Sequence, residues 1–256
     1  MPSEITRQQT PEEAELTRKR EELATVRAAL AERELELADF RAQLKSFEGR
    51  YLRQVGVLYA ELDELEAQIA ELEASLDPTP ATQQHAEQAR KQADESQEAA
   101  HGEASQAQDY QPSADLKRLF REVAKRIHPD FAKDDVDCQR RTRLMAKANE
   151  AYSCGDAEAL QRMLDDYQES SESVQGEGIG AELIRIIRQI HKARKNIAAI
   201  DQELTNLRAS DMAQMKDRVE AAELDGRDML AELAATLSGQ ILQRRNRYKS
   251  IAERPK

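Results

Sequence analysis

The residues of this sequence that could do chemistry lie close together, with His128, Asp130, Cys138 and Cys154 within one short stretch. Histidine and cysteine are zinc ligands, but the paired short spacings that are typical of a zinc site are missing. Cys138 as a nucleophile has no evident base partner beyond His128. The sequence shows no convergent set of titratable residues, so we expect no enzyme activity, no metal site and no cofactor.

A basic amphipathic helix is predicted directly before His128. Ser113 is a suitable N-cap, and Pro129 disfavours helical geometry at the preceding residue, so the helix should end near His128. Asp130 is then expected on a tight, exposed loop. Apolar residues at helical spacing form one stripe: Leu116, Leu119, Phe120, Val123 and Ile127. Basic residues fill the other face: Lys117, Arg118, Arg121, Lys125 and Arg126.

Two further helices are predicted after this loop, and together with the basic helix they define a unit over residues 113–168. The second helix has Leu144, Met145, Ala148, Ala151 and Tyr152 on its inner side. The third helix, residues 157–168, is expected to be capped by Asp156 and to point Leu160 and Leu164 inward.

The stretch Leu116–Asp130, the sequence Asn149–Tyr152 and the continuation Gly155–Leu160 together resemble a J-domain, the signature of DnaJ-like co-chaperones. The form is similar to a divergent bacterial variant, and it covers about a fifth of the chain. The family's short first helix, with an aromatic residue and a Leu-Gly pair, is missing, since Asp109 and Tyr110 are too close to Ser113. Either that helix is absent or another segment substitutes for it.

The resemblance implies that His128, Pro129 and Asp130 dock on a 70-kDa heat-shock chaperone. Asp130 would engage the partner's ATPase domain, and the basic face would meet an acidic patch, with encounter weakened by salt. The expected result is faster ATP hydrolysis by the partner, directed to a client that the rest of the chain binds. The alternative is a structural scaffold or adaptor whose J-like unit is degenerate and does not stimulate the ATPase.

The composition indicates long helices instead of one large core. The chain has 256 residues, of which 34% are charged and 4% aromatic, with no Trp and a net charge of −11. The negative charge counts against nucleic-acid binding. The sequence shows no signal-peptide pattern, in which a charged region precedes an apolar one, and no long apolar run. We therefore expect a cytoplasmic protein that has no membrane partner.

Seven-residue apolar series predict two coiled-coil arms, residues 12–77 and 181–252. The first arm follows a flexible N-terminus, residues 1–11, and its seam changes register near Tyr51, which predicts a stutter. The members of its main series are Leu16, Leu23, Leu30, Leu37, Leu44, Tyr51, Leu58, Leu65 and Leu72.

Polar segments are expected to join the arms to the J-like domain. Residues 78–112 show no apolar period and are interpreted as a low-complexity linker in preference to a marginal helix, while residues 169–180 form a Gly/Ser hinge. We therefore predict an all-α fold in which the arms form an antiparallel hairpin, with Arg33 opposite Gly226 and the J-like domain inserted at one tip. A homodimer in which each arm pairs with its twin is the alternative.

Overall fold

The computed structural model describes residues 10–102, 110–169 and 178–253. The predicted all-α class is confirmed for these residues, which contain helices and no strand. The flexible start predicted for residues 1–11 and the hinge predicted for 169–180 fall largely outside the described residues. The helices are α1 (Pro11–Tyr51), α2 (Val57–Leu76), α3 (Pro80–Gly102), α4 (Ala114–Ile127), α5 (Asp135–Ser153), α6 (Ala157–Glu169), α7 (Ile179–Arg208), α8 (Asp211–Leu224) and α9 (Met229–Ala252).

The chain divides into two compact units. Unit 1 comprises residues 1–42 and 110–208, and unit 2 comprises residues 43–109 and 209–256. No helix in the described part of the chain is both long enough and apolar enough to span a membrane.

In unit 1, α1 and α7 lie side by side in the same direction. Arg20 pairs with Glu182 and Arg41 with Glu203, and both pairs are 162 residues apart in sequence. A constant separation means that the two helices are parallel, so the predicted antiparallel pairing is wrong; Arg33 pairs with Asp201, at 3.1 Å, and not with Gly226. Their shared apolar cluster uses the predicted seams: Leu16, Leu23, Val26, Leu30, Leu37, Ile186, Ile190, Ala193, Ile200 and Leu204.

Helices α4, α5 and α6 form a small three-helix unit with its own core. Asp156 caps α6 as predicted, since its Oδ1 accepts a hydrogen bond from the Ala159 amide at 2.8 Å. The core also takes in Ala31 and Leu35 of α1. The three-helix unit therefore packs on the side of α1, and a segment from outside it completes the core. Its other buried members are Leu116, Leu119, Phe120, Val123, Ala124, Ile127, Met145, Ala148, Ala151, Tyr152, Leu160 and Leu164.

In unit 2, helix α3 covers most of residues 78–112, for which a low-complexity linker was predicted. Pro80 occupies the first helical position, and Thr79 caps the helix by accepting from the Thr82 amide at 3.2 Å. Alanines at seven-residue spacing, Ala86, Ala93 and Ala100, are buried. The linker prediction was wrong because the buried positions of α3 are alanines, and the apolar pattern was judged from large apolar side chains.

Helix α3 runs antiparallel to α2. Arg90 bonds to Glu71 and Ser96 to Asp63, so the sequence numbers fall on one helix as they rise on the other. Within the same unit α9 runs parallel to α2, since Glu66 pairs with Arg244 and Glu73 with Arg247. A helix that returns along α2 thus reverses the chain within unit 2.

The predicted register change in the first arm coincides with a π-helical turn, Leu52–Gly56. A Cβ on Gly56 would lie 3.0 Å from the Leu52 Cδ2 atom, so a larger residue at this position would force the Leu52 side chain to shift. A π turn inserts one residue into the helical ladder and rotates the apolar stripe that follows it. It buries Val55 completely.

The second arm is three helices instead of one. Ser210 caps α8 by accepting from the Ala213 amide at 3.3 Å, at the position where the apolar pattern blurs in the sequence. Gly226 has a φ of +75°, a conformation that glycine tolerates best, and Asp228 caps α9 by accepting from the Ala231 amide.

Candidate docking site

The basic helix α4 begins and ends where the sequence predicts. Ser113 accepts a hydrogen bond from the Leu116 amide at 3.1 Å, and the His128 amide donates the last helical bond to the Ala124 carbonyl at 3.2 Å. Pro129 then starts a 3-10 turn, Pro129–Phe131. The predicted apolar stripe is entirely buried, so the face that carries the basic residues points away from the core of the three-helix unit.

The His128 side chain holds the loop in one conformation. Its Nδ1 atom accepts from the Asp130 amide at 3.1 Å, so that nitrogen carries a lone pair and, in the neutral ring, Nε2 carries the proton. Nε2 then donates to the Glu34 Oε1 atom of α1 at 3.0 Å. His128 thus links the motif to α1, and it is only 3% exposed.

Asp130 lies in a different environment from the exposed loop predicted for it. The residue is 4% exposed. Its Oδ1 atom accepts from the Asn196 Nδ2 atom of α7 at 2.8 Å and lies 3.5 Å from the Lys192 Nζ atom. Among the described residues, its Oδ2 atom is buried with no hydrogen-bond partner. The prediction of an exposed Asp130 is wrong because α1 and α7 pack over the loop.

Phe131, the residue after the motif, anchors the loop. Its side chain is buried and belongs to the apolar cluster that α1 and α7 share. The Arg27 guanidinium lies 4.3 Å from the centre of the ring, a distance suited to a cation–π contact. Burial lowers the pKa of Arg27. The turn is thus held by an apolar contact as well as by polar ones.

The five predicted basic residues divide into two sets. Lys117 and Arg121 bind carboxylates of α1, with Lys117 Nζ 3.0 Å from Asp39 Oδ2 and Arg121 Nη1 3.1 Å from Glu32 Oε2. The other three pair with acidic residues of their own helix. Those pairs are Arg118 with Asp115, and Lys125 and Arg126 with Glu122.

Tyrosines beside the same carboxylate of α1 strengthen this contact. The Tyr152 hydroxyl donates to the Asp39 Oδ1 atom at 3.2 Å, and its ring is 5.8 Å from that of Tyr110 in an edge-to-face arrangement. Burial raises the pKa of Tyr110 to about 12, and burial together with Tyr110 and Asp39 raises the pKa of Tyr152. Both phenols are therefore neutral hydrogen-bond donors at physiological pH.

A buried arginine ties α5 to the end of α4. Arg141 Nε donates to Asp137 Oδ2 at 2.8 Å, and Arg141 Nη1 donates to the Arg126 carbonyl at 2.7 Å. Burial works to raise the pKa of Asp137, but hydrogen bonds from Arg140 and Arg141 outweigh it and hold the pKa at about 2. This pair supports the last turn of α4, from which the motif projects.

The remaining candidate residues do not converge. His85 and His191 are exposed, and His101 lies in a part of the helix whose side chains are not described. Cys138 and Cys154 are free thiols. In the described residues no group of three or more His, Cys, Asp or Glu side chains is arranged to hold a metal ion.

Four residues that contact the turn itself, Arg27, Glu34, Lys192 and Asn196, were not found from the sequence. Each lies on α1 or α7, far from the motif in the chain, and three of the four are charged residues of the kind that normally cover a coiled coil. Asn196 offered the one available signal, because it is a neutral polar residue directly after the basic stretch His191–Lys195.

The chain has no match among protein-family models, curated proteins or solved structures. The class of protein that the fold defines is therefore an all-helical protein in which a three-helix unit, carrying a His-Pro-Asp turn, packs on a parallel helix pair.

Proposed function

We propose that this protein is a non-enzymatic co-chaperone that docks on the ATPase domain of a 70-kDa heat-shock chaperone and stimulates its ATP hydrolysis. The observation that carries the proposal is the geometry of the motif. A basic helix ends at His128, and the His128 ring accepts from the Asp130 amide, which orders the loop as a single turn. A pre-ordered acidic residue beside a basic face suits protein recognition, because little conformational entropy is lost on binding.

The long helices provide the second part of the proposed role. The α1–α7 pair and the α2, α3 and α9 group offer extended surfaces with charged edges, typical of helices that bind other proteins. In this proposal they hold a client or complex while the motif recruits the chaperone.

The test is single-turnover ATP hydrolysis by a cognate 70-kDa chaperone, with and without the full chain. We expect stimulation that is lost in Asp130→Asn and His128→Gln and retained in Asp135→Asn. Asp135 is a matched control, since it is an exposed aspartate at the start of α5, five residues from Asp130. Absence of stimulation over a full titration, in every version of the chain, would contradict the proposal.

One observation favours a second candidate, a structural scaffold or adaptor without ATPase-stimulating activity. The motif is buried, with His128 3% and Asp130 4% exposed, so its side chains hold helices of this chain together. A scaffold of this kind would lose stability in Asp130→Asn while the chaperone's turnover stayed at its basal rate with the wild-type chain. The same two measurements therefore separate the two functions.

A further inference from the structure

A docking motif must be accessible, and this one is covered. His128 and Asp130 are among the few buried polar or charged residues in the described chain. The cover comes from two different helices, with Glu34 of α1 on the His128 ring and Asn196 of α7 on the Asp130 carboxylate. The second contact ends on the carboxylate that the proposed function assigns to the partner.

The basic face is engaged in the same way. Asp39 and Glu32 of α1 bind Lys117 and Arg121, so this helix supplies the acidic patch that an external partner would otherwise supply. A carboxylate on another protein would compete for the same ammonium and guanidinium groups. The internal contacts are therefore expected to weaken the proposed external ones at these two residues.

The closed arrangement leaves a polar group unsatisfied. The Asp130 Oδ2 atom is buried without a hydrogen-bond partner in the described part of the chain, and Lys192, the nearest cation of α7, reaches only Oδ1, at 3.5 Å. A buried carboxylate with one free oxygen favours release to water. The contacts that oppose this release are the hydrogen bond from Asn196, the ammonium group of Lys192, and the burial of Phe131 in the cluster that α1 and α7 share.

We propose that α1 and α7 form an autoinhibitory clamp over the His-Pro-Asp motif, in which Asn196 and Lys192 of α7 hold Asp130 away from the chaperone. The inference rests on the proposed function and adds its regulation. Docking then requires the α7 side of the clamp to open, so the affinity for the chaperone equals the intrinsic affinity multiplied by the open fraction.

The experiment compares the full chain with a clamp variant, Lys192→Ala with Asn196→Ala, and a matched control, Lys195→Ala with Asn206→Ala. The control removes the same two residue types from exposed positions of α7. Two readouts are taken: the concentration that gives half-maximal stimulation of the chaperone ATPase, and amide hydrogen exchange of residues 128–132 without chaperone. Asp130→Asn is also introduced into the wild-type chain and into the clamp variant.

The clamp variant should need about ten-fold less protein for half-maximal stimulation, and residues 128–132 should exchange about ten-fold faster, the effect of one lost charge-assisted hydrogen bond. The control should match the wild-type chain, and Asp130→Asn should abolish stimulation in the clamp variant.

Two outcomes would overturn the inference, and they differ. In the first, wild type and clamp variant stimulate the ATPase equally and exchange equally, and Asp130→Asn abolishes stimulation in both. This result would refute the clamp and support the proposed function. In the second, no version of the chain stimulates the chaperone ATPase, even when residues 128–132 of the clamp variant exchange fast. This result would refute both the proposed function and the clamp.

Discussion

The structure makes a sharp prediction for two leucines of α1 that lie two residues apart. Leu35 and Leu37 are both 5% exposed. Leu35 belongs to the core of the three-helix unit, whereas Leu37 belongs to the cluster shared with α7. The same substitution at the two positions should therefore weaken two different parts of unit 1, and each variant serves as the control for the other.

The expected size follows from the loss of buried methyl groups. Truncation of a buried leucine to alanine costs about 3 kcal/mol, including the cavity that remains. Leu35→Ala should lower the local stability of α4, α5 and α6 by that amount. Amides of those helices that exchange by local opening should then exchange roughly 100-fold faster. Leu37→Ala should have this effect on α7 amides instead.

Hydrogen exchange followed by mass spectrometry on intact protein measures both effects. Peptides from residues 114–153 report on the three-helix unit, and peptides from 186–204 report on the α1–α7 pair. If Leu35→Ala leaves the first set protected as in wild type, α1 does not complete the core and the packing argument fails. If both variants accelerate both sets equally, the two clusters open together and their separation is refuted.

Two further predictions concern acid stability and α3. Because the pKa of Asp137 is lower in the folded chain, about 2 against an ordinary 3.8, its carboxylate stabilises the fold above that ordinary value and the contribution disappears as the pH falls to about 2. The stability difference between wild type and Asp137→Asn in urea unfolding should thus shrink from roughly 2 kcal/mol at pH 6 towards zero near pH 2. Ala93→Glu places a charge at a position 2% exposed, so α3 should detach and trypsin should cleave after Arg90, whereas Ala99→Glu, on the exposed face, should resist as wild type does.

Local structure around the motif could be predicted from the sequence because its determinants are local. Ser113 and Asp156 are caps, Pro129 ends a helix, and apolar spacing identifies the buried face of α4. These features depend on residues three or four positions apart, and the structure places each of them as expected. The exposure of Asp130 depends on residues of α1 and α7, and no local pattern carries that information.

The direction of helix pairing could not be obtained from the seven-residue series. Apolar seams look the same whether the partner helix is parallel or antiparallel, and charged edges can satisfy either arrangement. The seam of α3, which returns the chain along α2 within unit 2, consists of alanines at positions 86, 93 and 100.

The second contact face of α1 was also missed from the sequence, because most of its residues are alanines. Ala31, Leu35, Ala38 and Ala42 follow each other at spacings of four, three and four residues, which is a helical stripe beside the leucine seam. Ala31, Leu35 and Ala42 are buried, and Ala38 packs on the core of the three-helix unit. The stripe is a detectable signal for the segment that completes the small core, although alanine is so common in coiled coils that it carries little weight alone.

The two faces of α1 constrain how the motif can be released. Leu35 sits in the core of the three-helix unit, so that unit cannot leave α1 without exposing the core and losing about 3 kcal/mol at this leucine alone. The α7 contacts to Asp130 are a hydrogen bond from Asn196 and a half-exposed Lys192, which cost far less to break. Because α7 shares its own apolar cluster with α1, opening is expected to be local: the polar contacts break and the loop moves away from Asn196 and Lys192, while α7 and the three-helix unit both stay on α1.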